Sequence, residues 1–144
     1  MASDSVFIDT SAFYAFFDKK DRHHDQVSQA LYQTTASFVT SNYVLDELIT
    51  LFRMRRLRLH QFQTFVEKLW TGSICQILRV TEEIEMKAWE LLKQYQDHDF
   101  SFTDCTSFVL MRTHKLQQVC TLDHHFAIAG FEMIVQSALG SAKK

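Results

Sequence analysis

The sequence predicts an α/β fold built on a central parallel sheet of about five strands. Three observations lead there. Short apolar segments of strand length alternate with longer segments of helical period along the chain. The strand segments are nearly continuous apolar runs, as in Val6-Phe7-Ile8 and Ile74-Cys75-Gln76-Ile77-Leu78, which is how strands covered on both faces read. The 144 residues, 47% of them hydrophobic, supply the core that a sheet buried on two sides requires.

The first strand, residues 6–8, runs straight into Asp9, Thr10 and Ser11. Residues 12–17 are apolar almost all round and read as a buried first helix. A charged connection, residues 18–22, follows. Asp21 is placed to cap a second helix over residues 23–33, with Val27, Ala30 and Leu31 at helical spacing. Residues 37–40 form the second strand. Ser41 or Asn42 then caps a long helix reaching about Leu59. Its apolar face carries Val44, Leu45, Leu48, Ile49, Leu51 and Phe52. Glu47 falls at the edge of that face and Asp46 lies further toward the polar side, so Glu47 is the acid expected to point inward.

Phe62, Phe65, Val66, Leu69 and Trp70 mark the next helix, closed by Gly72. Residues 74–78 give the third strand. Thr81 opens a helix running through Tyr95, and a polar connection leads to Asp99. A helix from about Thr103 to Lys115 precedes the fourth strand, residues 118–122. Asp123 starts a short helix ending at Gly130, and residues 131–135 form the fifth strand. One domain over residues 1–136 is expected, with a small polar tail, residues 137–144, that frays.

Composition narrows the function classes. The formal net charge is −2, so no global basic field advertises nucleic acid, and an RNA role requires a local patch. The first residues lack the basic and apolar regions of a signal peptide, and no apolar run approaches the ~18 residues of a membrane span, so a cytoplasmic protein is expected. Cys75, Cys105 and Cys120 lie apart inside apolar segments and read as reduced, buried thiols. The chain has no Pro and only Gly72, Gly130 and Gly140, from which no phosphate-cradling Gly-rich loop can be written.

The chemistry lies in the acids. Asp9 follows the first strand and Asp123 follows the fourth, so both project from one edge of a parallel sheet. Asp104 sits in the first turn of its helix, and Glu47 in the second turn of the helix after strand two, which starts at the same edge. Singly, each has an ordinary role: Asp9, Asp104 and Asp123 as N-caps, Glu47 as a solvated helical acid. Together in one crevice they would repel one another and take up protons unless a cation were present. Hard divalent ions with oxygen ligands, Mg²⁺ or Mn²⁺, answer that need. Such a cluster beside a phosphodiester activates a water and stabilises the leaving oxygen.

Four runs carry a family resemblance. Phe7-Ile8-Asp9-Thr10-Ser11-Ala12, with the later Asp18-Lys19-Lys20-Asp21-Arg22-His23-His24, resembles the opening of PIN-domain nucleases. Thr40 to Leu48 resembles their second acidic motif, with Glu47 in the acid position. Ser101-Phe102-Thr103-Asp104-Cys105 resembles the third, and Thr121-Leu122-Asp123-His124-His125-Phe126 the fourth. Order and spacing match over essentially the whole chain. The resemblance implies a PIN-like three-layer α/β/α sandwich and a Mg²⁺- or Mn²⁺-dependent ribonuclease. Asp9 and Asp104 would hold the principal metal, with Asp123 and Glu47 completing the cluster. Chains of this size are similar to VapC-like toxins of bacterial toxin–antitoxin pairs, which implies an RNA substrate, an antitoxin protein partner and a homodimer. Two departures bear on substrate preference: the Phe-rich segment at residues 13–17, and His124 and His125 in the fourth motif.

Thr10, Ser11 and Thr103 carry hydroxyls beside the acids, for capping and turns or for orienting a carboxylate. Arg53, Arg55, Arg56 and Arg58 form the best basic patch available. They suit a helix C-terminus, phosphate contact or an antitoxin contact. A histidine-based site around His124 ranks below the acids. The apolar set Phe52, Leu57, Leu59, Phe62 and Phe65 fits monomer core or dimer surface equally. Two other functions stay open: a PIN-like module that binds RNA or protein without cleaving, and a metal-dependent phosphatase with Asp9 as nucleophile.

Overall fold

A computed structural model describes residues 4–135; the expected tail, residues 137–144, lies outside the described residues. The elements run β1 (Ser5–Ile8), α1 (Thr10–Phe17), α2 (His24–Gln33), β2 (Ser37–Ser41), α3 (Asn42–Met54), α4 (Leu59–Trp70), β3 (Gln76–Leu78), α5 (Glu82–Gln94), α6 (Phe102–Thr113), β4 (Gln118–Cys120), α7 (His125–Ile128) and β5 (Glu132–Met133). All strand pairs are parallel and the sheet order is β3-β2-β1-β4-β5. The expected five-stranded parallel sheet is thus present.

The topology fixes where a site belongs. From β1 the chain steps outward through β2 to β3; β4 then returns to the other side of β1, with β5 beyond it. The winding reverses between β1 and β4. Ligands of open α/β sheets bind at such a reversal, outside the strands' carboxyl ends. The register pairs Ile8 with Cys120, and the Asp9 N–H donates to the Cys120 carbonyl at 3.0 Å, so Asp9 emerges opposite Thr121.

The core lies on both faces of the sheet. Phe7, Phe52, Phe108 and Phe126 are fully buried, and Phe108 meets Phe126 edge to face at 5.0 Å between centroids. Of the apolar set that suited core or dimer surface, all but Leu59 pack in or against the monomer core. Phe52 and Phe62 are buried and stacked at 4.8 Å, Leu57 and Phe65 are half-buried, and Leu59 is exposed.

One boundary differs. The helix expected to reach Leu59 stops at Met54, and α4 starts at Leu59. The stop is a Schellman turn: Arg56 N–H donates to the Arg53 carbonyl and Leu57 N–H to the Phe52 carbonyl. Arg56 takes the left-handed conformation, φ 63°, a position where glycine is usual. The apolar spacing continues across the break because Phe52 and Phe62 enter the same core from both sides of it. Gly72 and Gly130, by contrast, end their helices with positive φ, where the sequence placed C-caps.

Candidate functional site

Asp9 sits at the N-cap position of α1, yet its side chain makes no capping hydrogen bond. The Thr121 hydroxyl donates to Asp9 Oδ2 at 2.9 Å, and the Ser11 hydroxyl reaches the same oxygen at 3.4 Å. Ser11 Oγ also accepts the Leu122 N–H at 3.0 Å, tying the end of β1 to the end of β4. The carboxylate is thus held by hydroxyls and aimed outward from the sheet edge. Burial, with the Asp104 and Glu47 carboxylates nearby, pushes its pKa up to about 7 against the opposing pull of the Thr121 hydrogen bond.

Glu47 is the inward acid of α3, half-buried while Asp46 is exposed. The Thr10 hydroxyl donates to its Oε1 at 2.6 Å. Burial raises its pKa as well, with Asp104 and Asp123 adding to the effect. Asp104 stands in the first turn of α6 in a reciprocal cap with Ser101: its N–H donates to Ser101 Oγ at 2.9 Å, and its Oδ2 accepts the Ser101 N–H at 3.1 Å. Asp123 turns the chain after β4, its Oδ1 accepting the His125 N–H at 3.0 Å. Two of the three candidate caps therefore do accept backbone N–H groups. Asp9 makes no such capping bond to its helix, and its backbone partner is the adjacent Thr10 N–H.

The four acids line one crevice of about 430 Å³ with a fifth, Asp99, which the sequence reading placed only in a polar connection, and with Thr10, Ser11, Ser101 and, from α3, Thr50, Leu51 and Met54. Thr103 is half-buried outside this lining; its carbonyl accepts the Thr106 hydroxyl. Arg53, Arg55, Arg56 and Arg58 are exposed around the C-terminal end of α3, next to the crevice-lining Met54. Arg55 lies over the Tyr14 ring at 4.7 Å. Asn42 accepts the Val80 N–H and Tyr43 bonds Glu85, so both fasten α3 to the segment around α5.

His125, read from the sequence only as a departure within the fourth motif, also lines the crevice. Its Nδ1 lies 3.1 Å from Asp104 Oδ2 and 3.3 Å from Asp123 Oδ1, while His124 is exposed. The only signal for choosing between the adjacent histidines is the turn made by Asp123, whose carboxylate holds the His125 backbone. Thr121, quoted in the fourth motif for its neighbour Asp123, proves to be the chief partner of Asp9.

Among the described residues, no Lys or Arg forms an ion pair with any of the four acids. A buried carboxylate with acids for neighbours and no basic counter-charge is the donor set a divalent cation fits. Asp104, Asp123 and His125 each bring a ligand atom within 4.8 Å of the others. The orientation of Asp9 is testable alone. Thr121→Val removes its strongest hydrogen bond while keeping the side-chain volume, and is expected to weaken divalent-cation binding by roughly 10–100-fold. Calorimetric titration with Mn²⁺ checks this; unchanged binding would mean that Thr121 does not position Asp9.

A parallel α/β sheet whose acids converge at its winding reversal is the arrangement that a PIN-domain family model matches here, over residues 6–132, and the chain belongs to that family. The 23S rRNA-specific endonuclease VapC20 of Mycobacterium tuberculosis is 30% identical over 126 residues, 88% of this chain and 95% of that protein. A VapC ribonuclease of Archaeoglobus fulgidus is 32% identical over 131 residues, 86% of this chain and 80% of that protein. The crystal structure of M. tuberculosis VapC20, a Sarcin-Ricin loop cleaving toxin, matches with a TM-score of 0.81 at 29% identity, covering 88% of this chain and 95% of that one.

Proposed function

We propose that this protein is a Mg²⁺- or Mn²⁺-dependent endoribonuclease and the toxin of a toxin–antitoxin pair. The observation that carries the reading is the meeting of Asp9, Glu47, Asp104 and Asp123, from four separate segments, in one crevice at the β1/β4 reversal. Family membership and the ribonuclease names of the relatives support it.

In this reading Asp9 and Asp104 hold the principal cation, and Glu47 and Asp123 complete the acidic wall. Thr121 and Ser11 fix the Asp9 carboxylate, and Thr10 fixes Glu47. When bound, the cation offsets the acid–acid repulsion and supplies Lewis-acid activation of water and phosphodiester. The Arg53–Arg58 patch beside the crevice supplies phosphate contacts, which makes RNA binding weaken with salt. Thr103, away from the crevice lining, serves α6 through its backbone rather than orienting an acid.

The rRNA specificity in the name of VapC20 makes structured ribosomal RNA the first substrate to try. A homodimer in the cytoplasm, held by an antitoxin until released, completes the proposal. Exposed Met86 and Trp89 on α5 support a face covered by protein, and no helix among the described residues is long and apolar enough to cross a membrane.

The test compares single-stranded RNA, a structured rRNA fragment and a phosphomonoester, each with Mn²⁺ and with chelator. Internal cleavage of RNA only in the presence of Mn²⁺ is expected. Hydrolysis of the monoester alone would move the assignment to a phosphatase, and RNA binding without cleavage to a binding module.

A further inference from the structure

We infer that His98 is a stacking platform for an unpaired RNA base beside the bond that is cut. The inference rests on the ribonuclease reading above and goes further, by giving the crevice a side that selects RNA whose bases are free of pairing.

The platform is built by the connection between α5 and α6. Phe100 anchors that segment in the core, where its ring meets Phe108 edge to face at 5.1 Å. The exposed His98 imidazole lies on Phe100, with ring centroids 5.0 Å apart and planes 15° apart. This is stacking geometry. The His98 N–H donates to the Tyr95 carbonyl at 3.0 Å and closes the turn that brings the rings together. The Tyr95 ring is 5.9 Å from both His98 and Phe100. Tyr95 therefore stands beside the stacked pair, not across His98 from Phe100, and does not cover the outer face of the imidazole. Ordering of the ring is thus completed on folding, and little freedom is left to lose when a base lands on it.

The platform stands at the rim of the crevice. Asp99, the next residue, belongs to its lining, and the Phe100 ring meets the ring of crevice-lining His125 at 5.1 Å. Phe100 is the single ring between His98 and that wall.

Electrostatics decides which part of an RNA suits this side. Exposed Asp97 and Asp99 flank His98, and five carboxylates line the crevice, so a phosphate is repelled here. The arginines stand at the C-terminal end of α3, whose Thr50, Leu51 and Met54 form the lining there. The RNA backbone accordingly runs on the arginine side, and the uncharged, flat base is what fits the imidazole. Single-stranded and looped RNA is recognised by splaying bases onto aromatic side chains, histidine among them. Every base has a π-face, so stacking tolerates any sequence. His98 thus selects for the absence of pairing and not for one base.

The test uses the full chain with Mn²⁺ and a short single-stranded RNA whose cut bond has been mapped. His98→Ala is expected to raise KM roughly tenfold with little change in kcat. His98→Phe keeps a flat face and loses both ring nitrogens, and should restore the wild-type KM. An abasic nucleotide at one of the positions next to the cut bond should raise the wild-type KM by a similar factor. The same abasic substrate should cost His98→Ala nothing further.

An unchanged KM in His98→Ala would overturn the inference. So would a His98→Phe variant that fails to restore KM, because the contribution would then lie in a ring nitrogen. Equal abasic penalties in the wild type and His98→Ala would overturn it as well. These three results leave the ribonuclease reading standing, since RNA is still cut. A chain that binds RNA in Mn²⁺ without cutting it would overturn that reading, and the same variants and substrates compared on Kd would then decide the stack. A chain that binds no RNA would overturn both.

Discussion

Asp9→Asn is expected to lower Mg²⁺-dependent RNA cleavage by on the order of 10³-fold or more, equivalent to about 4 kcal/mol of transition-state stabilisation. The amide keeps the shape of the carboxylate and still accepts from the Thr121 hydroxyl, so the fold should persist. What it loses is the charge. Burial and acidic neighbours make that charge costly without a cation, pushing the Asp9 pKa up to about 7. The same substitution that removes activity should therefore stabilise the metal-free protein. Cleavage assays and thermal melts in chelator read the two effects separately. Retained activity would remove Asp9 from the reaction. Clear destabilisation in chelator would make Asp9 a structural residue.

Metal-free wild type should lose stability relative to Asp9→Asn as pH rises from about 4 to about 7. Asp9 has an unfolded value near 3.8 and a folded value pushed to about 7. Below pH 4 both states carry the proton, and there is no penalty. Between the two values the unfolded chain has released the proton while the native chain keeps it, so stability falls by about 1.4 kcal/mol per pH unit. Above pH 7 both are ionised and the cost levels off, at on the order of 4 kcal/mol. Glu47 acts in the same direction. Denaturant unfolding of both proteins in chelator at pH 5, 6, 7 and 8 gives the difference. A gap that does not widen with pH would show that no charge is buried at Asp9. Added Mg²⁺ should close most of the gap, because a ligand of the native state stabilises it by mass action.

Much of this was readable in the residues. Apolar runs of strand length between turn signals read as strands covered on both faces, and Asp9 stands where the first of them ends. Helical geometry separated Glu47 from Asp46 through the one edge of α3 that faces inward. Gly72 and Gly130 marked helix ends because their left-handed φ favours glycine. The end of α3 was not readable: Arg56 adopts the same conformation without the residue that signals it, and the apolar period runs on into α4. His125 was hidden for a different reason. Two adjacent histidines look alike in sequence, and which one faces the acids is decided by a turn that the Asp123 carboxylate builds in three dimensions. Nor do strand-end hydroxyls announce partners. Thr121 meets Asp9 only because the register sets β4 beside β1, across more than a hundred residues of chain.

The central claim is that Asp9, Glu47, Asp104 and Asp123 form one cation site at the β1/β4 reversal. A crystal of the protein grown with Mn²⁺, with diffraction recorded on both sides of the manganese absorption edge, tests it most directly. An anomalous peak in contact with the carboxylates of Asp9 and Asp104 is expected. A saturating Mn²⁺ concentration that leaves no peak there, or places it elsewhere on the chain, would contradict the account.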